Sequence, residues 1–381
     1  MRDHKENTVM AILRLLLGLV FIFSATVKGI DPMGTAYRVQ DYLLAYGWES
    51  LLPFALHLSF LIILSEFLLG MAFLFRLFMK TASWSMFAML AFFTVVTLLD
   101  GLYNWVPDCG CFGDAVKLTN WETFYKNIVL ISMNLVVLLY WKKRKTLTRF
   151  TPQFLILVLF GSGFLLFINY NLNHLPIVDF RDWKTGRDMK PEGLDKVKTY
   201  VIYQNKKTGE KKTFEFPHFP WKDTAWMARW KFVSQRIDDS QLVRKHHLII
   251  EDSVGNDYTQ QIIDNPENQF ILAAYDLQKS NPEGIKKALQ LYRYLKKNGL
   301  SMVLLTASET SQIVKMEQAW QTDLPAFLSD DIELKAMIRS NPGLLWLKNG
   351  VVIKKWHYHD FPSPDQLHQM METATHKNKG R

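Results

Sequence analysis

Val9-Met-Ala-Ile-Leu-Arg-Leu-Leu-Leu-Gly-Leu-Val-Phe-Ile-Phe-Ser-Ala-Thr-Val-Lys-Gly29 is the stretch that decides the fold. As a helix its 21 residues extend about 32 Å, enough to cross a bilayer core of about 30 Å. The run is too long for the apolar core of a signal peptide and lacks a small-x-small cleavage site, so it is expected to stay as a span. Four further runs have the same character: Pro53–Phe75, Thr81–Leu99, Phe124–Trp141 and Pro152–Tyr170. Helices are the expected form, because in lipid each backbone amide must find its partner inside its own segment. After Tyr170 the composition becomes that of a water-soluble protein. The average hydropathy is near zero because it mixes these two halves.

The formal charge of +9 admits nucleic-acid binding or membrane topology as its cause. The densest basic run, Lys142-Lys143-Arg144-Lys145 with Arg149, lies between two apolar segments, where positive-inside anchoring places it. No interleaved basic and aromatic surface suggests a nucleic-acid groove. Arg2 and Lys5, then Arg76 and Lys80, then the 142–149 cluster occupy alternate connections, so one topology puts all three in the cytoplasm. The remaining connections carry Asp31, Asp41 and Glu49, or Asp100, Asp108, Asp114 and Glu122, and face outward with everything after Tyr170. In a bacterium this is an inner-membrane protein with its N-terminus cytoplasmic and its C-terminal domain periplasmic, where disulfides persist. Trp48, Trp105, Trp121 and Trp141 fall near span ends, as an interfacial aromatic belt would have them.

Two ionisable residues fall inside spans, Arg14 and Glu66, at roughly comparable depth. They can pair with each other, or Arg14 can snorkel and Glu66 pack as a neutral acid. The alternative is a proton or quinone site, because intramembrane charge is costly and usually functional. Lys28 and Asp31, at the end of the first span, read as interfacial.

Both cysteines lie in Val106-Pro107-Asp108-Cys109-Gly110-Cys111-Phe112-Gly113. Two thiols separated by one glycine can staple a loop, exchange with a partner's thiols, or share a soft metal. Without a nearby histidine the metal set is incomplete, so no metal site is assigned. A ring closed across one residue is strained, which favours an oxidising, exchanging disulfide, and Gly110 tolerates the torsions it demands. Asp108 and Asp114 discourage thiolate formation, whereas a cation such as Lys117 or Lys28 would favour it.

Arg14-Leu-Leu-Leu-Gly18 with Phe21, Ser24 and Lys28, then Glu66-x-x-x-Gly70, then Asp108-Cys-Gly-Cys-Phe-Gly113, resembles the DoxX-like superfamily. Within it the chain looks most like the methylamine utilisation protein MauE branch, over residues 8–142. The resemblance implies a four-helix membrane bundle at 1–145, to which this chain adds a fifth transmembrane helix at 146–171. It implies a thiol-disulfide oxidoreductase component that helps oxidise or mature an exported partner. Cys109 and Cys111 would be its catalytic pair, with Asp108, Gly110, Phe112 and Gly113 as the supporting motif. A quinone is the electron acceptor that the DoxX likeness suggests. The rival reading is a non-enzymatic scaffold whose Cys-Gly-Cys merely staples a loop.

Residues 172–244 read as a linker with a β-hairpin, Lys198–Gln204 and Lys211–Phe216 around a Gly-containing turn, followed by the aromatic loop Phe214–Trp221. From 245 to 376 the order is strand Leu248–Asp252, strand Phe270–Tyr275, amphipathic helix Pro282–Asn298, strand Ser301–Thr306 and helix Glu309–Gln321. A short helix Asp331–Arg339, Pro342, strands Gly343–Leu347 and Val351–Trp356 around an Asn-Gly turn, and helix Pro364–His376 complete it. This order resembles an α/β thioredoxin fold of the membrane-tethered TlpA type, with Pro342 at the family's cis-proline position. The family's cysteine pair would fall in Asp276-Leu-Gln-Lys-Ser-Asn281, which has none, so this module is expected to dock a client rather than exchange dithiols. His246 and His247 point to opposite faces of an expected strand. P-loop, dinucleotide-binding, HExxH and Gly-x-Ser-x-Gly motifs are absent.

Overall fold

The computed structural model of the chain describes residues 6–106, 109–142 and 150–379. Asp108 lies outside the described residues, as do Arg2, Lys5, Lys143, Arg144, Lys145 and Arg149 of the topology argument. The first half is helical: α1 (Thr8–Ile30), α2 (Pro32–Ala45), α3 (Ala55–Phe75), α4 (Met79–Tyr103), α5 (Asn120–Lys142) and α6 (Phe150–Asn173). Five of these helices, all but α2, are long and apolar enough to cross a membrane, so the chain is a multi-pass membrane protein.

Helix α2 corrects the expectation of a plain connection between the first two spans. Its start signal is Asp31-Pro32: the Asp31 carboxylate accepts from Gly34 N at 2.9 Å, and Pro32 occupies the first turn, where its missing N–H costs nothing. Fourteen residues with mixed polarity are too few to span.

Helices α1 and α3 touch where neither has a side chain. A Cβ on Gly70 would lie 2.9 Å from the backbone nitrogen of Ile22, and one on Gly18 3.0 Å from the carbonyl oxygen of Gly70. Lipid gives no hydrophobic reward for burying apolar side chains, so close backbone approach through small residues is what holds such helices together. Beside this contact Leu17, Phe21, Phe73, Met86, Leu90 and Val137 fill the bundle core. Helix α6 joins through Phe164, stacked on Phe67 with ring centroids 3.8 Å apart.

The second half opens with β1 (Lys198–Asn205), β2 (Lys211–Glu215), α7 (Thr224–Arg229) and β3 (Trp230–Asp238), in an antiparallel sheet of order β2-β1-β3. The hairpin is the expected one; β3 escapes the pattern because Lys231, Phe232, Val233 and Ile237 are all exposed, leaving no alternation to read. Next come α8 (Thr259–Ile263), β4 (Asn268–Ala273), α9 (Pro282–Lys297), β5 (Ser301–Thr306) and α10 (Thr310–Trp320). The chain ends with β6 (Ala326–Leu328), α11 (Asp331–Met337), β7 (Gly343–Lys348), β8 (Val351–His357) and α12 (Pro364–Lys379). These strands form a mixed sheet of order β6-β5-β4-β7-β8, with β4, β5 and β6 parallel and β7 and β8 antiparallel to their neighbours. Each face has its own core, around Phe270, Leu304 and Trp346 on one side and Ile271, Leu305 and Leu345 on the other, as strand alternation requires.

Leu248–Asp252 is not a strand. It runs extended, and Glu251 alone makes isolated bridges to Asp257 and Leu328. His246 and His247 therefore lie in irregular chain rather than on opposite strand faces. The Asn341–Pro342 peptide bond is cis, as is Phe216–Pro217.

Candidate functional site

The Cys-Gly-Cys segment is held from several sides. Gly110 (φ +62°) and Gly113 (φ +52°) take the left-handed conformations that let it turn back on itself, and Gly113 N donates to Gly110 O at 2.9 Å. Ser24 of α1 lies 2.7 Å from the Cys111 carbonyl oxygen. Asn120 at the start of α5 donates to the Val106 carbonyl at 2.8 Å, fixing the incoming chain. Phe112 packs on Phe23 of α1 and lies 4.4 Å beneath the ammonium of Lys126 from α5.

Both cysteines are free thiols, with Cys109 Sγ directed at Cys111 Sγ at 2.7 Å. The hydrogen bond from Cys109 pulls the Cys111 thiol down to about 6, and Lys126 and Lys28 add to it against the opposing effect of burial. Cys109 moves the other way, pushed up first by donating to Cys111 and then by burial. The two shifts run in opposite directions, so the first proton leaves the pair more readily from Cys111 than from Cys109.

The cations differ from the expected set. Lys28 is 6 % exposed and paired inside the bundle: its Nζ sits 2.6 Å from Glu66 Oε1. Glu66 Oε2 faces Ser24 Oγ at 3.0 Å. Lys126, not the exposed Lys117, is the second cation at the thiols. Arg14 and Glu66 do not pair. Arg14 reaches Glu6 at 3.0 Å and donates to the carbonyls of Phe73 and Leu74. Those carbonyls belong to the last turn of α3, where no backbone donor remains for them. Spacing along the two helices suggested equal depth, but the Gly18–Gly70 contact sets the register and brings Lys28 down to Glu66 instead.

A cavity of about 30 Å³ is lined by Lys28, Glu66, Cys111, Lys126 and Asn127, among others. That is the volume of one water molecule. A quinone ring does not fit within it. Among the described residues no group of His, Cys, Asp and Glu could hold a metal ion.

The C-terminal domain touches this end of the membrane bundle. Arg339 grips Asp31 through Nε, at 3.1 and 3.0 Å from the two carboxylate oxygens, and lies 3.6 Å from Asp114 of the cysteine loop. Asp31 is half-buried and paired: desolvation pushes its carboxyl up, but Arg339 and Arg181 hold it below the usual range. The Tyr37 hydroxyl of α2 meets that of Tyr275 at 3.1 Å, and Arg339 lies 5.2 Å over the Tyr37 ring. At the end of α6, His174 pairs with Asp360 at 2.8 Å and His359 with the Asn173 carbonyl at 2.7 Å. Behind Arg339, Asp179 bonds both Arg181 and Lys355; burial first, then the adjacent Arg181, brings the Lys355 ammonium down to about 8.

The cysteine-free segment 276–281 is tied to the cis-proline dipeptide: Asn281 N donates to Asn341 O at 3.0 Å, and Asn341 Nδ2 to Asp276 O at 2.8 Å. A cleft of about 570 Å³ separates it from α2, bordered by Tyr37, Gln40, Tyr275, Gln278, Glu309 and Lys335.

Sequence reasoning named Cys109, Cys111, Lys28 and Glu66, and the structure brings them together; Arg14 and Pro342 lie elsewhere. It missed Asp31, Lys126 and Arg339 as site residues. For the α5 wall a signal existed, since the buried polar residues Asn120, Thr123, Asn127 and Asn134 recur at helical spacing along one stripe.

Residues 6–141 match the family model described as methylamine utilisation protein MauE. No curated protein and no solved structure matches the chain. The part of the membrane bundle that carries the cysteine loop and the Lys28–Glu66 pair is thus similar to the MauE family, and in this chain it is followed by α6 and a C-terminal α/β domain.

Proposed function

We propose that the chain is a membrane-anchored thiol-disulfide exchange component that acts on an exported partner through Cys109 and Cys111. The observation that carries this reading is the placement of the two sulfurs, 2.7 Å apart in a turn packed between Lys126 and the Lys28–Glu66 pair, where Cys109 and the two cations draw the Cys111 thiol down. In the oxidising direction, a partner thiolate attacks Cys109 Sγ of the closed Cys109–Cys111 disulfide. The sulfur–sulfur bond breaks and Cys111 leaves as a thiolate, the better leaving group because its conjugate acid is the stronger. The partner's second thiolate then attacks its own sulfur in the mixed disulfide and releases Cys109, which takes a proton. The partner loses two electrons and the Cys-Gly-Cys gains two.

On this reading the cysteine loop and the C-terminal domain share the periplasmic side of a bacterial inner membrane, as the distribution of Lys and Arg supports. The C-terminal domain is a thioredoxin-like docking module: its strand order favours that likeness, and its lack of cysteines leaves exchange to the loop. The test is an alkylation-shift assay on intact cells with a membrane-impermeant maleimide, alongside Cys111→Ser. Labelling after mild reduction is expected, and so is loss of partner oxidation in the variant, whose single thiol has no disulfide to offer. Full partner oxidation by Cys111→Ser would reject the proposal. The scaffold reading predicts instead a staple that resists reduction, with a potential below about −300 mV.

A further inference from the structure

Strand β3 stands at one end of the sheet order β2-β1-β3, with β1 along one of its edges. Among the described residues no other strand and no isolated bridge reaches its outer edge. Backbone N–H and C=O groups along that edge are open to a further strand. The two ends of the sheet are built differently. Strand β2 is five residues long and runs on towards Pro217, which has no N–H to donate. Strand β3 is nine residues long, and every residue from Lys231 to Ile237 is exposed.

The register sorts these side chains by face. Phe232 pairs with Tyr203 and Ile237 with Thr199, on the face where Val201, Tyr203 and Trp230 form a small core. Beyond that core Phe232 and Ile237 are left 53 % and 57 % exposed. Lys231 pairs with Gln204 and Arg236 with Tyr200, on the opposite face, where the Arg236 guanidinium lies 5.4 Å over the Tyr200 ring. The open edge therefore presents an apolar pair on one face and a cationic pair on the other.

Charge selects the occupant. Residues 198–238 hold nine Lys and Arg against four Asp and Glu, so more than half of the chain's net charge of +9 lies in this segment. A second copy of β3 would meet the edge with the same positive excess. An anionic bilayer surface answers the cations but brings no strand to the open backbone groups. An extended segment of another protein answers both, provided its residues alternate. Its apolar side chains then fall beside Phe232 and Ile237, and its carboxylates beside Lys231 and Arg236.

We propose that the outer edge of β3 is a docking site for an extended protein segment of alternating acidic and apolar residues, which joins the sheet as a fourth strand. This surface is separate from the Cys-Gly-Cys loop, and its occupancy does not depend on thiol exchange.

The test uses the full-length protein in phosphatidylcholine nanodiscs and three fluorescent octapeptides. One alternates Glu and Val, one alternates Lys and Val, and one holds its Glu and Val residues in separate blocks. Only the alternating Glu-Val peptide is expected to bind saturably, with hydrogen exchange slowed across 230–238. The double variant Lys231→Glu, Arg236→Glu should weaken that binding about tenfold and take up the Lys-Val peptide instead. A misfolded variant would not show this reversal of preference. Failure of the wild type to bind the Glu-Val peptide, equal binding of the block peptide, equal binding by the variant, or slowed exchange only outside β3 overturns the proposal. So does capture by phosphatidylglycerol vesicles in place of peptide binding, which would make the edge a membrane contact. Dimerisation in place of peptide binding, lost in the double variant, overturns it in favour of a contact between copies.

Discussion

Removing the Cys109 side chain tests why Cys111 is acidic. At pH 7 a thiol titrating near 6 is about 90 % thiolate, against about 3 % for an ordinary thiol near 8.5. That thirty-fold excess does not become a thirty-fold rate. Nucleophilicity falls with basicity at a Brønsted slope of about 0.4–0.5, which returns a factor of roughly ten to eighteen over the same interval. The net gain at pH 7 is only about two- to three-fold, so a single rate is a poor witness and the titration midpoint is the right one. The largest cause of the shift is the hydrogen bond from Cys109. Hydrogen bonds to charged groups contribute about 1.5–3 kcal/mol, or about one to two units at 1.36 kcal/mol per unit.

Two single-thiol proteins separate the causes. Cys109→Ser keeps a donor beside Cys111; Cys109→Ala does not. Neither can form an internal disulfide, so iodoacetamide alkylation against pH reads Cys111 alone. The serine variant is expected to titrate near 6, and the alanine variant about one to two units higher, with Lys28 and Lys126 retaining the rest of the shift. Equal midpoints in the two variants would refute the donor argument. Midpoints near 8.5 in both would refute the cationic pocket as well.

Gly70→Ala should weaken the bundle by about 1–3 kcal/mol, because its methyl group meets backbone atoms of Ile22 and Gly18 that cannot swing away; Gly163→Ala, with open space at that point, should be close to neutral in the same thermal-unfolding assay in nanodiscs. Arg339→Ala leaves the half-buried Asp31 without its partner and Asp114 unneutralised, so hydrogen exchange in α2 should rise, and the Cys111 midpoint should rise with it; unchanged exchange would show that Arg339 does not hold the domain. The reduced protein should gain stability as pH rises from about 6 to about 8.5. In that window the unfolded thiol holds a proton that the folded one has lost, so the unfolded state binds more protons and stability climbs with pH. Thermal unfolding of wild type against Cys111→Ser at both ends of the window checks the sign.

Span number, the Cys-Gly-Cys loop and four strands of the C-terminal sheet, β4, β5, β7 and β8, were legible because each rests on a local signal: run length, residue identity, or periodicity. Helix α2 was not, although Asp31-Pro32 is a start signal, because polar residues between two spans look like a connection. The pairing of Glu66 was misread for a different reason. Depth along two helices predicts a partner only when their relative register is known, and that register comes from the Gly18–Gly70 contact. Arg339 could not be found at all by local reading. It lies more than 300 residues from Asp31 in a separate domain, and its meaning exists only once that domain is seated on α2.

That seating bears on the chemistry of the loop. Asp114 lies three residues past Cys111, and alone its charge would oppose a thiolate there. The C-terminal domain supplies the counter-charge, since Arg339 lies 3.6 Å from Asp114 while gripping Asp31 at the head of α2. The α/β domain has no thiol of its own to offer. What it brings to the sulfurs is a cation beside the one acidic group of the described loop that works against them. A domain without cysteines can therefore still act on the thiol pair of its neighbour, through electrostatics and through holding the loop in place.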